Sequence, residues 1–149
     1  MINIKQELEV AKKASEIAAA LLVDNKDNIN KILSNEGRDV KLKADIESEK
    51  VIKDYLLSHS SFPILAEESG ANRDLGNSFW VVDPLDGTSN YSRDFPMCCI
   101  SIALIYEKEI TLGVINDFNR SSLYEGSIDS KAKLNGADIF VSSIDNKSK

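Results

Sequence analysis

Two short apolar runs in this chain each end abruptly in acids. Phe62-Pro63-Ile64-Leu65-Ala66 leads directly into Glu67-Glu68, and Phe79-Trp80-Val81-Val82 leads directly into Asp83-Pro84-Leu85-Asp86. Short apolar runs rich in β-branched and aromatic residues read as buried strands. Their acidic tips cannot share that burial, so both strands must end at a margin of the core. If the strands are neighbours, Glu67, Asp83 and Asp86 converge at one edge of a sheet. Unpaired carboxylates there raise one another's proton affinity, and no Lys or Arg adjoins Asp83 or Asp86 to neutralise them. A bound Mg²⁺ (or Mn²⁺) resolves the conflict, because it accepts carboxylate and carbonyl oxygens.

The hexapeptide from Asp83 to Thr88 has a mechanical reading at each position. Pro84 fixes φ, so the chain turns rigidly between two acids. Leu85 can offer its backbone oxygen to a cation while its side chain stays in the core. Gly87 permits close approach of a ligand. Thr88-Ser89-Asn90-Tyr91 then starts a helical turn whose free N–H groups can face an anion. A metal beside a phosphate cradle is an arrangement for phosphoryl transfer. Taken alone, the hexapeptide is more often an ordinary Asx-Pro turn, and the acids a solvated loop. The second acid-tipped strand tilts the balance.

Charge narrows the partners. The 149 residues carry 18 basic and 24 acidic side chains, a net charge of −6, and residues 67–94 alone hold six acids against two arginines. Such a chain is a poor candidate for gripping a nucleic-acid backbone. No apolar run approaches the roughly 20 residues that cross a bilayer, and residues 1–9 lack a signal-peptide layout. The expectation is a soluble, cytoplasmic protein of one domain, residues 1–149, with no membrane partner. Cys98 and Cys99 are adjacent, so in a strand they point to opposite faces and do not pair. They read as small strand residues, and the sole histidine, His59, as an end-of-helix residue.

The periodicity predicts an α+β architecture, with two N-terminal helices packed on one face of an antiparallel sheet. Apolar residues at helical spacing from Ile4 to Leu33 predict one long helix over residues 3–33, bent near Asp24-Asn25 and stopped at Ser34-Asn35-Glu36-Gly37, with Gly37 as the cap. A short strand is expected over Asp39–Ala44, and a second helix N-capped by Asp45. Ala71–Ser78 reads as a loop. Met97–Tyr106, Ile110–Asn116 and Ser122–Glu125 read as antiparallel strands, Gly126–Gly136 as a loop and Asp138–Ser142 as a last strand, with a frayed tail beyond.

At this point the sequence is identified by resemblance. Leu65-Ala66-Glu67-Glu68-Ser69 together with Trp80-Val81-Val82-Asp83-Pro84-Leu85-Asp86-Gly87-Thr88-Ser89-Asn90-Tyr91 resembles the inositol monophosphatase family, which includes 3′(2′),5′-bisphosphate nucleotidases and has fructose-1,6-bisphosphatases as relatives. Lys43-Ala44-Asp45, Phe95-Pro96 and Leu134-Asn135-Gly136 agree with it. The resemblance implies roles by position. Glu67, Asp83 and Asp86 match metal-ligating carboxylates, with Glu67 also positioning the attacking water, and Leu85 matches the position that gives its carbonyl. Gly87 and Thr88, with Ser89, match the phosphate-binding turn, and Thr88 with Asp45 the pair that polarises the water. The implied reaction is Mg²⁺-assisted hydrolysis of a small phosphate monoester: an inositol, sugar or nucleotide phosphate.

Family members run to about twice this length, and the resemblance covers the first half only. Their second half carries a Trp-Asp-x-Ala-Ala-Gly motif that completes the metal site. Here Trp80, the only tryptophan, is followed by Val81. Three readings follow: a split or conditional phosphatase associated with the missing half, a metal-binding remnant without turnover, or an interaction domain. A sheet face left without its other half predicts self-association as a homo-oligomer.

Overall fold

The computed structural model describes residues 2–36 and 39–143. Helix α1 (Ile4–Asp24) starts at Asn3, whose side-chain oxygen accepts from the Gln6 N–H, a helix cap. Its buried stripe of Leu8, Ala11, Ala14, Ala18 and Leu22 is small enough for close packing on a sheet. A one-turn helix α2 (Lys26–Ile29) follows, and then a hairpin of β1 (Ile32–Glu36) and β2 (Asp39–Leu42). The predicted helix to residue 33 therefore ends early. Asn25, Asn28 and Asn30 compete for their own backbone, and the Lys43 N–H bonds the Lys31 carbonyl at 2.9 Å to close the hairpin. Gly37, the expected cap, lies outside the described residues.

Helix α3 (Lys43–His59) begins three residues earlier than predicted, its N-cap being Leu42, so Lys43 and Ala44 are helical and not part of the strand. Asp45 is not the N-cap; it sits in the first turn, and its Oδ2 accepts from the Leu42 N–H at 2.6 Å. His59 ends this helix as expected, stacked on Tyr55 with ring centroids 4.0 Å apart.

The main sheet has eight strands in the order β10-β9-β8-β7-β6-β5-β3-β4. These are β3 (Ile64–Ala66), β4 (Gly70–Ala71), β5 (Phe79–Asp86), β6 (Cys99–Tyr106), β7 (Glu109–Asp117), β8 (Ser122–Ser127), β9 (Ser130–Leu134) and β10 (Ala137–Asp138), with the short helix α4 (Thr88–Ser92) between β5 and β6. The α+β class holds, with one refinement: the sheet is mixed, because β3 pairs with β5 in parallel. Two differences lie at the far edge. Residues 130–134, expected as loop, form β9, and the last strand is only Ala137–Asp138. After the Ile139 N–H bonds the Ala132 carbonyl, residues 140–142 are irregular.

Helices α1 and α3 cover one face of this sheet. Trp80, Val82, Ile100, Ile102, Leu104, Leu112 and Val114 point into that layer and are buried. Two polar pairs enter it: Asn116 Nδ2 donates to Ser15 Oγ at 3.3 Å, and Trp80 Nε1 to Ser60 Oγ at 3.0 Å. Among the described residues, no helix is long and apolar enough to cross a membrane.

Candidate active site

The parallel pairing of β3 and β5 sets the site. Leu65 lies opposite Val81 and Ala66 opposite Val82, and the Glu67 N–H continues the ladder to the Val82 carbonyl at 3.1 Å. Glu67 and Asp83 are thereby the next residues of two strands in register. Sequence alternation would put Asp83 and Asp86 on opposite faces, since they are three apart. The structure prevents this with a bulge at Pro84-Leu85: Asp83 lies opposite Ser101 and Asp86 opposite Cys99, so both acids share the face away from the helices. Proline suits that bulge, having no N–H to contribute to a ladder. Leu85 turns inward and is buried, while its N–H bonds Asp83 Oδ1 at 3.2 Å.

Helix α4 follows at once. Gly87 has φ +92°, and a Cβ there would stand 2.7 Å from the Met97 carbonyl oxygen, so conformation and space both demand glycine. The Asn90 and Tyr91 N–H groups bond the Gly87 carbonyl, leaving those of Gly87, Thr88 and Ser89 in the unpaired first-turn position. Tyr91 anchors the turn, its hydroxyl donating to the Leu22 carbonyl of α1 at 2.7 Å. Thr88 Oγ1 lies 2.9 Å from Asp45 Oδ1 and 3.1 Å from the Leu85 carbonyl, either of which can take its proton. That contact spans 43 residues of sequence and joins α3 to the β5–α4 turn.

Electrostatics single out the same groups. Burial pushes Asp45 up to about 6 against the opposing bonds from Leu42 and Thr88. Glu67 is pushed up to about 7, first by desolvation and then by Asp83, whose carboxylate accepts its proton. Asp83 is also raised, mainly by desolvation and secondarily by Asp86. Among the described residues, no ion pair joins Asp45, Glu67 or Asp83 to a cation, which is the condition a hard divalent ion relieves.

The structure brings some predicted residues together and not others. Glu67 and Asp83 form a pair, and Asp45 and Thr88 form another. Among the described residues, no group of three or more Asp, Glu, His or Cys side chains is arranged to hold a metal ion. The expected convergence of Glu67, Asp83 and Asp86 is therefore present in the backbone register and not in a common cluster of the three side chains. The donor chemistry still fits a hard cation: two adjoining carboxylates with raised proton affinity, a third on the same face one bulge away, and a backbone carbonyl at Leu85.

Two residues that hold the site were not read from the sequence. Ser48 Oγ donates to the Pro84 carbonyl at 2.9 Å, and Glu49 Oε2 accepts from the Glu68 N–H at 2.7 Å, with Lys53 beside Glu49 at 3.5 Å. They tether both acidic tips to α3. Glu49 and Lys53 have the i,i+4 spacing of a helical ion pair, the only local signal available. Cys98 and Cys99 are free thiols as expected. Burial and Asp86 push Cys99 up to about 11, so it is protonated at neutral pH.

The model of the inositol monophosphatase family matches residues 3–149. The chain belongs to the inositol monophosphatase family. The Nus factor SuhB of Xylella fastidiosa is 45% identical over 100 residues, covering 65% of this chain and 35% of that protein. The inositol-1-monophosphatase of Synechocystis is 34% identical over 139 residues, covering 91% and 48%. Among solved structures, the extragenic suppressor protein suhB of Bartonella henselae has TM-score 0.84 and 28% identity, covering 93% of this chain and 55% of its own. The chain thus spans about half the length, or less, of the relatives it matches.

Proposed function

We propose that this chain carries the catalytic half-site of a Mg²⁺-dependent hydrolase of small phosphate monoesters, and that its turnover depends on further polypeptide. The parallel register of β3 on β5, which sets Glu67 beside Asp83, is the observation that carries this reading. Glu67 and Asp83, with Asp86 and the Leu85 carbonyl, would hold the cation. The cation would supply positive charge to the phosphoryl oxygens and acidify a water.

The remaining work belongs to protein groups. The first-turn N–H groups of Gly87, Thr88 and Ser89 hold the phosphate with the positive end of α4 toward it. Glu67 positions the water on one side. On the other, Thr88 Oγ1 accepts the water's proton while its own passes to Asp45 Oδ1, whose affinity near 6 suits a transient acceptor. The water oxygen forms the new bond to phosphorus, the ester P–O bond breaks, and the leaving alkoxide takes a proton from solvent.

The substrate is a small phosphorylated metabolite (inositol, sugar or nucleotide phosphate). Further polypeptide enters as a second copy or as the equivalent of the relatives' remaining length. Family membership supports the hydrolase reading, and half-length coverage supports the dependence. The test is phosphate release from inositol 1-phosphate, fructose 1,6-bisphosphate and 3′-phosphoadenosine 5′-phosphate, with and without Mg²⁺. Metal-dependent release from one of them, lost in Asp86→Asn and Thr88→Ala, is expected. Metal binding with no release, alone or with added polypeptide, would identify a remnant.

A further inference from the structure

Glu67 stands on the least supported part of the site. Glu67, Glu68 and Ser69 form the turn between β3 and β4, and β4 is a two-residue strand at the edge of the sheet. The ladder gives this turn one anchor, the Glu67 N–H on the Val82 carbonyl. A short hairpin of that kind is marginal by itself, yet a binding group must be held to within about 0.5 Å of its productive place.

Helix α3 provides the support. Its buried residues Asp45, Ser48, Glu49, Ile52 and Leu56 recur at helical spacing, polar over the first turns and apolar beyond. Glu49 is 4% exposed, and a buried carboxylate is costly unless it is paired and hydrogen-bonded. Here Oε2 accepts from the Glu68 N–H at 2.7 Å, a short charge-assisted bond, and Oε1 lies 3.5 Å from Lys53 Nζ. Lys53, one helical turn on, also donates to the Ser69 hydroxyl at 2.5 Å. Two side chains of α3 thus grip two of the turn's three residues. The bonds fall on the Glu68 backbone and the Ser69 hydroxyl, not on the Glu67 carboxylate.

We infer that Glu49 is a positioning residue for the cation site: with Lys53 it clamps the β3–β4 turn and aims Glu67 at the ion it would share with Asp83. This rests on the reading of Glu67 and Asp83 as cation ligands given above. The Glu67 N–H is fixed by Val82 and the Glu68 N–H by Glu49, so both peptide planes flanking the Glu67 Cα are held. The direction of its Cα–Cβ bond is then set before an ion arrives. Groups that orient metal ligands in this way contribute about 10- to 100-fold to metal affinity.

Mn²⁺ affinity of the full chain, read by titration calorimetry at pH 8, separates this role from a general one in folding. Glu49→Met keeps the volume and removes the acceptor, and should bind Mn²⁺ at least about 10-fold more weakly. Glu49→Gln keeps an acceptor for the Glu68 N–H without the charge, and should stay within about threefold of the parent. Ser15→Ala breaks the buried bond between α1 and β7; it should lower the melting midpoint and leave the affinity unchanged. If Glu49→Met does not fold, Ser69→Ala loosens the same clamp at its exposed end, with an expected loss of about threefold or more. Unchanged affinity in these clamp variants overturns the inference. A loss in Glu49→Gln equal to that in Glu49→Met would assign the effect to charge alone and overturn the positioning role. A parent silent toward Mn²⁺ removes the cation reading and the clamp with it, whereas a parent that binds and ignores Glu49→Met removes only the clamp.

Discussion

Asp45→Asn should stabilise the folded chain while removing its chemistry. Asp45 is buried, and its carboxylate affinity is raised from 3.8 to about 6 even though it accepts bonds from the Leu42 N–H and the Thr88 hydroxyl. A folded value above the unfolded one means that the folded chain holds the proton more tightly, so stability falls as pH rises from about 4 to about 6 and then levels off. Roughly two pKa units correspond to about 3 kcal/mol above pH 6, and to about half of that at pH 5. Asparagine fits the same bonds without the charge. Its oxygen can accept from Leu42, its amide can donate to Thr88 Oγ1, and the Thr88 proton can turn to the Leu85 carbonyl 3.1 Å away. Thermal melting should therefore show Asp45→Asn above the parent by about 5–10 °C at pH 8, with a gap about half as large at pH 5. In the assembled, active form the same variant should lose about 10²-fold or more in kcat, since Thr88 can no longer pass its proton on. An asparagine variant that melts below the parent at pH 8 would refute the burial argument. Undiminished kcat would refute the relay.

Other consequences are as direct. Gly87→Ala forces a side chain into a left-handed conformation and against the Met97 carbonyl, at a cost of about 2–4 kcal/mol, so its melting midpoint should fall by about 5–15 °C. Ser48→Ala removes the donor to the Pro84 carbonyl and should cost about 1–2 kcal/mol in denaturant unfolding, with the m-value unchanged. Because protons compete with a cation for Glu67, whose affinity lies near 7, the rise in melting midpoint on adding Mg²⁺ should be larger at pH 8 than at pH 6. Equal shifts at both pH values would remove Glu67 from the ligand set.

The site was more legible in the sequence than the fold around it. Asp83-Pro84-Leu85-Asp86-Gly87-Thr88 states its own geometry, because proline and glycine restrict the backbone and the acids need a solvent edge. The adjacency of β3 and β5 entered only as a condition, since a parallel pair has no short turn to announce it. The pairing of residues 32–36 with 39–42 was hidden by Ile29, Ile32 and Leu33, which continue a helical spacing although the backbone from Ile32 onward pairs with a later segment. Strand β9, with Lys131 and Lys133 in five residues, lacks the apolar run that marks a buried strand. Ser48 and Glu49 act on backbone groups of Pro84 and Glu68, and nothing local in the sequence reports such contacts.

Titration calorimetry with Mn²⁺ and Mg²⁺ on the purified chain at pH 8 addresses the central claim, that the tips of β3 and β5 bind a hard cation. Saturable heat is expected for the parent, strongly weakened in Asp83→Asn and in Glu67→Gln. Silence toward both ions, or binding that survives both substitutions, would contradict the account.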